Sequence, residues 1–159
     1  MPIDDLLSRA LDLAAVKGAS YCDVRLVETN QERFVVRNGV VDTISNDESL
    51  GVGVRVLVNG SWGFASTNIA TPAEVDRATG LAVEIAAASA QSSNGPVSLG
   101  PPVTSRGVYT TPIKIDPFSI SSEDKLGLLL EADQRMGSVK GISARMGNLI
   151  FIKEHKTFA

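Results

Sequence analysis

The residues able to do chemistry in this chain are few. There is one histidine, His155, and one cysteine, Cys22, in 159 residues. A His-based zinc site, a Ser-His-Asp triad or a Cys-His dyad would each have to use His155. Glu154 beside it suggests a metal-ligand or acid–base pair, yet neighbours on a strand point to opposite faces. With Lys153 and Lys156 on either side, the plainer reading is a solvated turn. Cys22 shares a predicted strand face with Val24 and Leu26 and has no His or Lys close in sequence. It reads as a small buried hydrophobe, not a nucleophile. Gly51-Val52-Gly53-Val54 has the glycines of a phosphate-binding loop. It lacks the Lys-Ser/Thr, and it leads into a strand and not a helix. Asp42, Asp47 and Glu48 gather near one hairpin end without the spacing of a cation loop, and read as solvated turn charges. Trp62 and Phe64 could form a ligand platform, although a half-buried hairpin more often uses such rings as core. Arg33, Arg37 and Arg55 could make a basic stripe on one sheet face. The acidic balance of the chain favours local ion pairs instead. No catalytic, cofactor-binding or metal-ligating residue is therefore assigned.

The elements that would position these groups follow from periodicity. Ile3, Leu6, Leu7, Ala10, Leu11 and Ala14 recur at helical spacing. Asp4 and Asp5 open that helix, Lys17 closes it, and Gly18 stops it. From Tyr21 to Ser66 the period falls to two. Phe34 and Val36 alternate with Arg33 and Arg37. Val40–Ser45 forms another strand, and Val52, Val54, Val56 and Val58 alternate in a third. Trp62–Ser66 returns antiparallel. Asn38-Gly39 and Asn59-Gly60 are two-residue hairpin turns. Gly51 and Gly53 leave one strand face bare, which predicts close packing there by a helix or an aromatic ring. Thr71-Pro72-Ala73-Glu74 starts a second helix running to about Ala90, with Val75, Ala78, Ala82 and Ile85 inward. A third helix begins at Ser121 or Ser122, carries Leu126, Leu128, Leu129 and Met136, and stops at Gly137. Ile142–Ile152 reads as a strand with a break at Gly147-Asn148. A turn over Lys153–Lys156 then leads to a new strand at Thr157.

The fold class is therefore α+β, an antiparallel meander with two or three helices packed on it. Residues 1–90 form the core of helix, sheet and helix. Residues 91–120 hold five of the seven prolines (Pro96, Pro101, Pro102, Pro112, Pro117) and form a surface excursion. Residues 121–159 complete the same domain, and an ending just inside a strand reads as a truncation.

Hydrophobic residues at 43% and charged residues at 21% suit an ordinary globular protein. The balance of 15 basic against 18 acidic residues gives a net charge of −3, so direct binding to nucleic acid is not expected. No apolar run is long enough to span a membrane, and the acidic start is no signal peptide, so membrane association is not expected. The single cysteine suits a reducing, cytoplasmic location.

Four segments taken in order carry a further message. They are Tyr21-Cys22-Asp23-Val24-Arg25, Val40-Val41-Asp42-Thr43-Ile44, Leu50-Gly51-Val52-Gly53-Val54-Arg55-Val56 and Trp62-Gly63-Phe64-Ala65, followed by an alanine-rich helix. Together they resemble the N-terminal region of the TldD/PmbA family, also called modulators of DNA gyrase. Val108-Tyr109-Thr110, Asp116-Pro117 and Glu123-Asp124-Lys125-Leu126 are closer to the TldD branch. Lys156-Thr157-Phe158-Ala159 resembles the strand that precedes a Ser-Ser-Glu-Gly stretch in that family. The resemblance implies a parent protein that is a TldD-like zinc metallopeptidase acting on peptide or protein substrates. It implies assembly as a homodimer or a TldD–PmbA-type heterodimer. The family's H-E-x-x-x-H motif lies in a later region, and no stretch here matches it. The resemblance thus transfers no catalytic or metal residue, and it implies zinc in the parent and none in this chain. The chain would be a non-catalytic N-terminal domain that helps enclose substrate and form the dimer. The alternatives are a protein-interaction module that binds a cytosolic partner such as gyrase through a sheet edge, and a small stand-alone protein that shares only the fold.

Overall fold

The computed structural model describes residues 2–101 and 105–159; Pro102 of the proline-rich excursion lies outside the described residues. The elements run α1 (Ile3–Val16), β1 (Tyr21–Arg37), β2 (Val40–Val58), β3 (Ser61–Thr67), α2 (Pro72–Ala90), α3 (Ser122–Gly137) and β4 (Met146–Phe158). The sheet is antiparallel, with strand order β3-β2-β1-β4. The α+β meander expected from the sequence is therefore present, and β4 returns to lie beside β1.

Both Asn-Gly turns form as expected. Asn38 and Asn59 adopt φ 50°, and Gly39 and Gly60 adopt φ 79° and 77°, the left-handed pair that a type I′ turn needs. Thr71 caps α2 by accepting a hydrogen bond from the Glu74 amide at 3.4 Å, with Pro72 in the first turn. Ser121 caps α3 through the Asp124 amide at 3.0 Å.

The strands are longer than the sequence suggests. Val40–Ser45 and the valine run belong to one strand of 19 residues. Asp42, Asp47 and Glu48 thus lie inside a strand and not at a turn. Lys153–Lys156 likewise stays in β4, which runs unbroken for 13 residues. Polar strand interiors such as these carry no hydrophobic alternation, so only the pairing with neighbouring strands reveals them.

The chain divides into two compact units. The first comprises Met1–Glu28, Ser49–Ser105 and Glu154–Ala159, and the second Thr29–Glu48 and Arg106–Lys153. In the first, Leu6, Leu7, Ala10 and Ala14 of α1 and Val75, Ala78, Ala82 and Ala86 of α2 pack on one sheet face. That face presents Val24, Leu26, Val52, Val54, Val56, Val58 and Ala65. Ile85, expected inward, is 38% exposed, and Thr79 and Ala86 are buried in its place. Thr79 satisfies its hydroxyl by donating to the Val75 carbonyl at 2.8 Å. Arg9 of α1 makes a two-pronged ion pair with Asp76 of α2 at 2.6 and 2.7 Å. The guanidinium holds the Asp76 carboxyl below the usual carboxylate range.

In the second unit α3 packs on β1 and β4 through Phe34, Val36 and Leu129, with Leu126, Leu149 and Phe151 around them. Phe34 meets Phe151 edge-on at 6.5 Å. The buried stripe of α3 is Lys125, Leu129 and Asp133, at i, i+4 and i+8, so of the expected Leu126, Leu128, Leu129 and Met136 only Leu129 is fully buried, and the stripe is charged at both ends. Leu128 is 61% exposed. Lys125 pairs with Glu32 and lies within 6 Å of the Phe34, Phe118 and Phe151 rings. Asp133 pairs with Arg145 at 3.1 Å.

One glycine decides how close α2 comes to the sheet. A Cβ at Gly63 would run into the Ala82 carbonyl oxygen and lie 2.6 Å from the Ala86 nitrogen. At Gly51 a Cβ would meet nothing within 4 Å. Gly63→Ala must push helix from strand, and overpacking of that kind costs about 3 kcal/mol. That corresponds to a drop in Tm of roughly 6–12 °C for a chain this size. Gly51→Ala is expected to be neutral or to stabilise by up to about 1 kcal/mol, since it only restricts the unfolded chain. Thermal and urea melts of the two variants check the order.

Candidate functional site

Within the first unit, the helices cover one sheet face and leave the other open. The open face carries Tyr21, Asp23, Arg25 and Val27 of β1, Gly51, Gly53 and Arg55 of β2, and Phe64 and Ser66 of β3. The register sets Gly53 opposite Ser66 and Arg55 opposite Phe64. A groove of about 890 Å³ runs over this face. Thr67, Asn68 and Ile69, where β3 leaves the sheet, form one end of it, with Glu74 and Arg77 from the first turns of α2.

A row of stacked and paired side chains crosses the face beside the groove. Tyr21 meets Trp62 edge-on at 5.7 Å. The Arg55 guanidinium lies 5.0 Å from the Trp62 ring and holds Asp23 Oδ2 with two nitrogens at 2.7 Å. Hydrogen bonding to Asp23 raises the Arg55 pKa, so this cation is fixed. Arg25 Nε stands 3.8 Å from Asp23 Oδ1, beyond hydrogen-bond reach, and its guanidinium lies 5.2 Å from the Phe158 ring. Arg77 pairs with Glu74 at 2.8 Å.

The residues singled out in the sequence fall in different places. Gly51 and Gly53 lie in the groove floor. The close packing expected there is real at Gly53, where the Phe64 ring would stand 3.1 Å from a Cβ, and absent at Gly51. Phe64 is 58% exposed, so it forms a wall of the groove and not core. Trp62 is half-buried between Tyr21 and Arg55. Of the three arginines, only Arg55 reaches this site; Arg33 and Arg37 belong to the second unit. Arg37 Nε lies 4.0 Å from Asp42 across the β1–β2 turn. Asp47 accepts a bond from Ser45, and with Glu48 it is exposed.

His155 Nδ1 faces Glu28 Oε2 at 3.3 Å across the β1–β4 pair. Glu154 points elsewhere and pairs with Lys156 at 2.8 Å. Cys22 packs half-buried against the helix-covered core, as its strand face predicts. Burial, and then the Asp23 charge, push its thiol up to about 11. Among the described residues no three His, Cys, Asp or Glu side chains come together to hold a metal ion.

Asp23 and Arg25 were legible in principle, because they alternate with Cys22 and Val24 on β1. The contribution of Glu74 and Arg77 was not, since only the α2 packing brings that helix start to the groove.

Residues 22–86, which run from β1 into α2, match the model for PmbA/TldA metallopeptidase domain 1. Over those residues the chain resembles a PmbA/TldD-type first domain. It is 26% identical over 120 residues to metalloprotease MJ0996 of Methanocaldococcus jannaschii, an alignment that takes in 76% of this chain and 27% of that protein. Three solved structures share the fold. A Bacteroides thetaiotaomicron protein named as a modulator of DNA gyrase gives a TM-score of 0.69 at 18% identity, over 98% of this chain and 38% of the other. A Thermotoga maritima protein of the same description gives 0.66 at 17% identity, over 99% and 35%. TldE from Thermococcus kodakarensis gives 0.64 at 16% identity, over 99% and 34%. This chain thus spans 27–38% of the length of these relatives. No helix among its described residues is long and apolar enough to cross a membrane.

The Cys22 environment makes a prediction about reactivity. A thiol with a pKa near 11 is about one part in a thousand thiolate at pH 8, against roughly a quarter for an ordinary thiol. Iodoacetamide should label the folded chain more than about a hundredfold slower than free cysteine at pH 8. The rate should climb with pH towards 11. Mass spectrometry of timed samples checks both.

Proposed function

We propose that this chain is the non-catalytic N-terminal domain of a TldD-like zinc metallopeptidase acting on peptides in the cytoplasm. It helps enclose the substrate and takes part in a homodimer or a TldD–PmbA-type heterodimer. The observation that carries the reading is the match of residues 22–86 to a metallopeptidase first domain. The donor set supports the non-catalytic half of it. Metal-assisted amide hydrolysis needs an open metal position with a carboxylate base beside it. His155 with Glu28, and Cys22 against the core, offer no such arrangement. Zinc and its ligands then belong to the parent protein outside these residues, and the open groove of the first unit faces the substrate.

A second reading is favoured by the sheet edges. β3 and β4 are the outer strands, and such strands add a partner segment readily. On this reading the domain is an interaction module that captures a cytosolic protein such as gyrase.

Peptidase assays separate the two. The zinc-loaded parent protein should cleave unstructured peptides and lose activity with a chelator, while the 159-residue chain cleaves nothing. Cleavage by the short chain in the presence of chelator would overturn the first reading. So would an inactive zinc-loaded parent whose N-terminal chain still captures a protein partner, and that result would install the second.

A further inference from the structure

Resting on the reading of this chain as a peptidase domain, we propose that the open-face groove binds an extended peptide segment. The segment seats an apolar side chain over Gly51 and places a carboxylate on Arg25. Three features of the groove argue for that occupant.

The first is its floor. Phe64 already covers Gly53, whereas the space over Gly51 is unfilled to at least 4 Å. A side-chain-free stretch of strand beside a ring is a slot for one apolar group. The second is its walls. Phe64 and Ile69 are 58% and 51% exposed and border the groove, so each has an apolar flank that a ligand would take out of water.

The third is charge. Three guanidinium groups and two carboxylates line the groove, a balance opposite in sign to the chain's net −3. Asp23 is committed to Arg55 by two bonds of 2.7 Å, and Glu74 to Arg77 by one of 2.8 Å. Arg25 makes no hydrogen bond to either carboxylate, and the Phe158 ring lies against its guanidinium. A planar fork whose ion pair with Asp23 is as long as 3.8 Å is suited to a second, closer carboxylate. Ser66 and Asn68, exposed at the rim, offer hydrogen bonds to a peptide backbone. An apolar group two residues from an acidic one, on the same side of an extended backbone, satisfies all three features; a polyanion would satisfy only the last.

The test uses the 159-residue chain and two labelled, unstructured peptides. Both contain a leucine, and two residues further on, on the same side of the extended backbone, one has an aspartate and the other an asparagine. Fluorescence anisotropy reads the affinities. Because Arg25 is half-exposed, its carboxylate contact is worth a few-fold and not hundreds. The aspartate peptide should bind about fivefold tighter at low salt. Arg25→Gln should abolish that preference while leaving the asparagine peptide unchanged. Gly51→Leu, whose new side chain enters open space, should weaken both peptides without lowering the Tm.

Absence of binding, equal binding of the two peptides, or a preference that survives Arg25→Gln would overturn the proposal. So would a duplex oligonucleotide that outcompetes the peptide, or a dimer of the chain that Gly51→Leu disperses. The readout is independent of catalysis. If neither peptide binds while the zinc-loaded parent cleaves peptides, this proposal fails and the peptidase reading stands. If the peptides bind as described while the parent cleaves nothing, the groove stands and the peptidase reading fails.

Discussion

Helix α2 lies so close to β3 that only a glycine fits between them at position 63, and much of the first unit follows from that approach. A strand that must present its backbone to a helix backbone needs small residues on the helix as well. Ala78, Ala82 and Ala86 supply them, all fully buried. Close approach brings more atoms into van der Waals contact per residue, which compensates for the small apolar area of each alanine. It also seats α2 beside α1, where the Arg9–Asp76 pair joins them. With both helices on one face, no described element of the first unit lies above the opposite face. The groove is a consequence of that asymmetry, and the glycine that matters most for stability points away from the glycines that matter for the groove.

The second unit follows a different rule. Its helix carries a lysine and an aspartate on the buried stripe, and each is ion-paired, although among the described residues Asp133 Oδ1 is buried without a hydrogen-bond partner. Glu32 and three aromatic rings surround Lys125, while Arg145 holds Asp133. Arg145 also donates its amide to the Asn38 side chain at 2.8 Å, which joins the β1–β2 turn to the segment leading into β4. Buried ion pairs of this kind add little net stability, because desolvation offsets attraction. Their effect is on register. A helix shifted by one residue would leave each buried charge without its partner, and an unpaired buried charge costs several kcal/mol, on the order of 3–5.

Local signals in the sequence carried the meander, both hairpin turns, the caps of α2 and α3 and the face of Cys22. Each rests on a few neighbouring residues whose conformational preferences agree. What was not legible depends on contacts distant in sequence. The polar interior of β2 has no alternation and resembles a turn. Alternation gives Phe64 a face but does not say which face the helices cover. Nothing in Trp62-Gly63-Phe64 shows that α2 will lie against Gly63. A charge on a helix is normally solvated, and the partners that bury Lys125 and Asp133 lie 93 and 12 residues away. The groove is legible only in halves: Arg25 and Gly51 from strand parity, Arg77 only from packing.

On the proposal above, the two faces of the first unit's sheet have separate duties, one filled by helices and one open to a ligand. Adjacent residues of β3 test it directly. Ser66 is exposed on the open face, and Ala65 is 7% exposed beneath the helices. In a Cys22→Ala background, maleimide labelling of Ser66→Cys should be fast and should slow when the aspartate peptide is added, while Ala65→Cys should label only on unfolding. Equal labelling of the two positions, or labelling of Ser66→Cys that ignores saturating peptide, would contradict the account.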